Sequence, residues 1–148
     1  MMDFSQMLIN FGAALALGAL MGLERELAGK EAGIRTSLMV SGGASLFAMM
    51  ALVAPRLVAP ESSGAALAIL ANIVVGIGFL GAGIILKTEE RVHGLTTAAV
   101  VWATAAVGAF AGIGFLEFAA TTAVIFAGIL YVLRKLGVAE KINTHNVT

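Results

Sequence analysis

The sequence predicts an all-α membrane protein, one domain built as a bundle of about five transmembrane helices. Three observations carry this prediction. Of 148 residues, 59% are hydrophobic and 12% charged, against about 45–50% and 25% in soluble globular chains. The apolar residues are gathered into runs near the ~20 residues that cross a hydrocarbon core. The Lys and Arg residues between those runs fall on alternate loops, as the positive-inside rule requires of a multi-pass protein. The composition also excludes several classes of function. Without cysteine there is no disulfide framework, thiolate nucleophile or cysteine-ligated zinc or iron–sulfur centre. A formal net charge of zero gives no attraction to nucleic acid.

The first run covers 4–23. The N-terminus, Met-Met-Asp-Phe-Ser-Gln, lacks a basic n-region, and the run ends in Glu24-Arg25-Glu26 rather than a small-residue cleavage site. It therefore reads as a retained anchor and not a signal peptide. The second and third runs cover 36–54 and 65–86. Residues 95–133 form one apolar stretch interrupted only by Gly112, Gly114 and Glu117. As a single helix it would be about 58 Å long at 1.5 Å per residue, too long for the bilayer, so it divides into spans 95–114 and 117–133 joined by a tight turn. Five crossings put the termini on opposite sides. One side carries Arg25, Lys30, Arg35, Lys87, Arg91, Arg134, Lys135 and Lys141, and the other only Arg56. The rule then places the N-terminus outside and residues 134–148 in a short cytoplasmic tail.

A shift of 61 residues aligns Gly22 with Gly83, Gly33 with Gly94, Thr36 with Thr97, Val40 with Val101 and Ala44 with Ala105. It maps the first helical hairpin onto the second with matching topology, as a duplication about an axis along the membrane normal would, and leaves the fifth helix unpaired.

Most of the 18 glycines sit inside apolar runs, where small residues let transmembrane helices approach closely. Gly18 with Gly22 and Gly108 with Gly112 are GxxxG pairs. Gly76-Ile-Gly78-Phe-Leu-Gly81 matches the dinucleotide fingerprint in letters, but that motif needs a preceding strand in a βαβ unit, so these glycines read as packing surface. Asn72, Gly76 and Gly83 share one helical face, while Gly78 and Gly81 lie elsewhere around the helix. Helix three is therefore expected at the centre of the bundle or of a subunit interface, and the leftover apolar faces suggest a homo-oligomer. Asn72 must find a partner at hydrocarbon depth, either in an interhelical hydrogen bond or in a functional role.

The loop from Glu24 to Thr36 holds six charges, Glu24, Arg25, Glu26, Lys30, Glu31 and Arg35. A carboxylate following a helix faces its negative end, so Glu24 is expected to meet a cation. Arg35 is the candidate, with Lys30 and Glu31 exposed; a solvated loop is the alternative. In the equivalent loop, Thr96 and Thr97 can cap helix four. His93 reads as a boundary residue and Trp102 as a packing or stacking surface.

The stretches Leu17-Gly-Ala-Leu-Met-Gly-Leu-Glu24-Arg25-Glu26, Gly33-Ile-Arg35-Thr36, Asn72-Ile-Val-Val-Gly-Ile-Gly-Phe-Leu-Gly-Ala-Gly83 and Gly94-Leu-Thr96-Thr97-Ala-Ala-Val-Val-Trp102 resemble the MgtC/SapB family. Together they mark a resemblance over about residues 10–133. It implies a protein of the bacterial cytoplasmic (inner) membrane, tied to adaptation to low magnesium and, in pathogens, to virulence through survival inside macrophages. It also implies a partner, the membrane sector of the F-type ATP synthase, which the best-known branch contacts as an inhibitor. Two features depart from the pattern. Many relatives continue into a soluble domain, which a chain stopping at Thr148 is expected to lack together with any regulation through it. Relatives often have a histidine after the arginine–threonine pair, where Ser37 stands here.

Two functions follow as expectations. The first is a non-enzymatic regulator acting through helix contacts in the lipid bilayer. The second is a small transporter or channel whose path would be lined by Ser41, Ser45, Asn72, Thr97 and Thr104. A magnesium path meets an objection, since that ion prefers carboxylates and retained water and no acid falls within the hydrocarbon, Asp3, Glu61 and Glu117 lying at the outer side and the other six acids at the inner. No cofactor is implied. With only His93 and His145 as histidines, no nucleophile–base pair or metal-ligand cluster emerges, and an enzyme is not expected.

Overall fold

The structure, a computed structural model, describes residues 2–58, 64–87 and 92–136, with the backbone alone over 55–58. Among these residues lie five helices, α1 Phe4–Leu27, α2 Ile34–Val58, α3 Ala65–Ile84, α4 Leu95–Gly112 and α5 Leu116–Lys135. All five are long and apolar enough to cross a membrane. Outside the described residues lie Glu61, Glu89, Glu90, Arg91, Lys141, His145 and the expected tail from 137 onward.

Local chemistry sets the element ends. Asp3 opens α1 by accepting a hydrogen bond from the Gln6 N–H at 2.7 Å, which satisfies one of the free donors of a helix start. Gly29 at φ 63° and Ala32 at φ 57° turn the chain between α1 and α2. Glu26 then accepts a hydrogen bond from the Ile34 N–H at 2.9 Å and so holds the start of α2 against the end of α1. Between α3 and α4 runs a feature the sequence reading does not anticipate. Two short strands, β1 Leu86–Lys87 and β2 Val92–His93, pair antiparallel with Leu86 opposite His93. Gly94 leaves this ribbon at φ 84° with its α-carbon pressed on the Ile84 carbonyl, where no side chain would fit. The expected turn between α4 and α5 is formed by Ile113 to Phe115, with Gly114 at φ 95°.

The centre of the bundle is α4, which touches α1, α2, α3 and α5. Helices α1, α2 and α4 form the tight core, α3 leans on α2 and α4, and α5 on α1 and α4. Ser37, Ser41 and Ser45 lie one turn apart on α2 and are fully buried. Glycines close on them from two sides. A Cβ at Gly18 of α1 would fall 2.6 Å from the Ser37 carbonyl oxygen, and Gly108 and Gly112 of α4 rest directly on the backbone of Ser41 and Ser45. Gly22 is pressed in the same way against Ile34. Around these contacts sit small and medium side chains, among them Ala14, Met21, Ala48, Val101, Val107 and Ala111.

The expectation that helix three occupies the centre of the bundle is corrected. Asn72 is exposed, and a Cβ built at Gly76, Gly78 or Gly83 meets nothing within 4 Å. Only Gly81 of α3 is buried, facing Ala98 of α4. The cause is the serine stripe on α2, which presents small, backbone-like surface to α1 and α4 and leaves α3 on the rim. Positions paired by the 61-residue shift differ accordingly. Ala44 and Ala105 are both buried, but Gly22 is tightly packed and Gly83 open, and Thr97 is buried while Thr36 is exposed.

Candidate functional site

The strongest concentration of buried charge lies where α1 ends. The helix continues one turn beyond Leu23, so Glu24 and Arg25 belong to its last turn and not to a loop. They are only 9% and 5% exposed. The two side chains leave in different directions. Arg25 donates from Nη2 to Thr97 Oγ1 at 2.7 Å, in the first turn of α4. Glu24 Oε1 stands 3.6 Å from Arg134 Nη1, in the last turn of α5. Arg134 also lies over the Tyr131 ring at 5.4 Å. One turn of α1 is thereby tied to two other helices. Glu24 Oε2 and Arg25 Nε have no hydrogen-bond partner among the described residues.

Glu24 does meet a cation, but Arg134 takes the place expected for Arg35. Arg35 and Thr36 are exposed at the start of α2, because it is Glu26 that reaches that helix while the flank bearing Glu24 faces α5. Lys30 and Glu31 are exposed. The expected threonine cap of α4 is also corrected. Gly94 is the N-cap residue and has no side-chain cap bond, Thr96 is exposed, and the Thr97 hydroxyl serves Arg25. His93 is exposed on β2. Trp102 is half-exposed and lines a groove of about 260 Å³ between α3 and α4 with Ile77 and Phe110.

Of the residues expected to line a solute path, Ser41, Ser45, Thr97 and Thr104 are buried on α2 and α4, while Asn72 lies apart from them on α3. Ser41 Oγ donates to the Ala14 carbonyl at 2.6 Å and Thr104 Oγ1 to the Val100 carbonyl at 2.8 Å. Ser45 is buried against α4, and Asn72 lies on the outer surface. The sequence reading also missed Asn10. This amide is fully buried, donates to the Gly112 carbonyl at 3.2 Å and accepts from Gln6 Nε2 at 2.9 Å. Its signal was present, since an amide inside the first apolar run needs a partner for the same reason as Asn72. Among the described residues no three His, Asp or Glu side chains are grouped to hold a metal.

The profile of the MgtC family matches residues 11–139. Protein MgtC of Salmonella typhimurium is 41% identical over 138 residues, covering 92% of this chain and 55% of the relative. Protein MgtC of Brucella abortus is 44% identical over 123 residues, covering 83% of this chain and 49% of the relative. The chain thus spans about half the length of these relatives. No solved structure matches it. With five apolar helices and a profile match over most of its length, this multi-pass membrane protein belongs to the MgtC family.

Proposed function

We propose that the chain is a non-enzymatic regulator in the bacterial cytoplasmic membrane that works by helix contact with another membrane protein. The basic end of the bundle, bearing Arg25, Lys30, Arg35 and Arg134, faces the cytoplasm on this reading, as the positive-inside rule directs. One observation carries the proposal. In the α1–α2–α4 core the hydroxyls of Ser37, Ser41 and Thr104 are donated to backbone carbonyls, Ser45 Oγ alone having no partner among the described residues, and glycines close on the serine backbone, so that the core is tightly packed and the apolar grooves lie on its outside. A hydrated magnesium ion would need carboxylates and room for water. The buried carboxylate of Glu24 is instead engaged by Arg134. The membrane sector of the F-type ATP synthase is the partner suggested by the family resemblance, with magnesium limitation and virulence as its setting.

The test sets transport against contact. Proteoliposomes of the purified chain should show no magnesium or small-solute flux above protein-free vesicles, while crosslinking in native membranes should recover a defined membrane protein. Saturable flux that is lost in Thr104→Val would overturn the proposal in favour of the transporter or channel reading.

A further inference from the structure

The rim position of α3 leaves a polar group where the bilayer has nothing to offer it. Asn72 is the eighth residue of α3, which puts it about 10 Å along the helix at 1.5 Å per residue, inside a hydrocarbon core ~30 Å thick. Its side chain is exposed on the outer surface of the chain and is too short to reach the headgroups. Lipid tails supply neither a donor nor an acceptor, so the amide needs a protein occupant at that depth.

The surface around it has the form of a helix-docking groove. Between α2 and α3 runs an apolar channel of about 570 Å³ with Asn72 in its wall. Gly43 on one side and Gly76 on the other line this channel, and a Cβ built on either meets nothing within 4 Å, so another helix backbone can come close. Val75 and Phe79 are 70% and 81% exposed and share a helical face with Asn72 and Gly76 by their three- and four-residue spacings.

We propose that this α2–α3 face is the contact between two copies of the chain, related by a two-fold axis along the membrane normal, with the two Asn72 amides hydrogen-bonded to each other. Depth and chemistry choose a second copy over a different protein. Copies inserted in the same sense place identical residues at identical depth, so the second Asn72 arrives at the required level without further design. A carboxamide is self-complementary, because each donates through Nδ2 and accepts through Oδ1. An isologous pair therefore satisfies both amides, and interhelical amide bonds of this kind are a recognised source of association in membranes. The inference stands independently of the regulator reading.

The chain's lack of cysteine makes the test direct. Val75→Cys, treated with a membrane-permeant oxidant in bilayers, should give a disulfide-linked homodimer, while Val124→Cys, 60% exposed on α5, should not. In the Val75→Cys background, Asn72→Leu should weaken self-association about 3–30-fold and Gly76→Leu should block it. Both variants should still fold as monomers, since Asn72 is exposed and a Cβ at Gly76 meets nothing within 4 Å. Equal crosslinking at positions 75 and 124, a monomer with only lipid in the groove, or preferential crosslinking of Val75→Cys to a different membrane protein would each overturn the proposal.

Discussion

Glu24 and Arg25 are adjacent in the chain yet serve different helices, and the consequences of removing each partner differ. Thr97→Val deletes the oxygen that accepts from Arg25 at nearly constant volume, leaving a buried guanidinium with no hydrogen bond. The expected cost is about 1–3 kcal/mol, read as lowered thermal stability in a fixed detergent, with Thr97→Ser recovering most of it. Arg134 is 37% exposed, so Arg134→Ala should cost no more than about 1 kcal/mol in the same assay. Arg35→Ala, at an exposed position, should stay within about 0.5 kcal/mol. A larger loss at Arg35 than at Arg134 would reverse the assignment of Glu24's partner. The need for a cation beside Glu24 was legible in the sequence, because it follows from the polarity of the helix end. The identity of that cation was not. It depends on which helix packs against the flank of α1, and loop charges carry no record of that.

At the level of elements, the same residue type has opposite consequences on different helices. Gly108→Ala would drive a methyl group into the Ser41 backbone, and Gly112→Ala into that of Ser45. Backbone cannot step aside as a flexible side chain can, so each should cost on the order of 1–3 kcal/mol by overpacking and separate α4 from α2. Gly83→Ala and Gly128→Ala meet only open space and should leave the melting temperature unchanged or slightly raised, since alanine is the better helix former. Melting curves of the four variants, compared under one detergent condition, decide the matter; an equal loss at Gly83 would return α3 to the centre of the bundle. The glycines could be found in the sequence but not ranked. In water, hydrophobic periodicity tells the buried face of a helix from the exposed one, whereas in a bilayer both faces are apolar. Only polar residues then report the interior. Asn10 and the serines of α2 did so, whereas Asn72 pointed to a contact that a single chain does not contain.

For the whole molecule, the number of crossings and the sidedness of the charges are two separate claims that one experiment can divide. The ends of α1, α3 and α5 and the starts of α2 and α4 gather at one end of the bundle. Glu24 of α1 meets Arg134 of α5, Arg25 meets Thr97 of α4, and Gly94 rests on Ile84 of α3. Lys30, Arg35, Lys87 and Lys135 are exposed at that same end. The described structure therefore keeps on one side most of the basic residues that the sequence pattern assigns to it. Folding alone does not choose which side of the membrane this is, since no contact within the bundle changes if the whole is inverted. The choice rests on the bias that keeps Lys and Arg in short loops from being translocated. A reporter fused after Lys141 should accordingly behave as cytoplasmic and one inserted beside Arg56 as external. If both report the same side, the count of five crossings fails. If both are reversed, the bundle stands, the basic end faces outward, and a cytoplasmic setting for the Glu24–Arg25 cluster has to be abandoned.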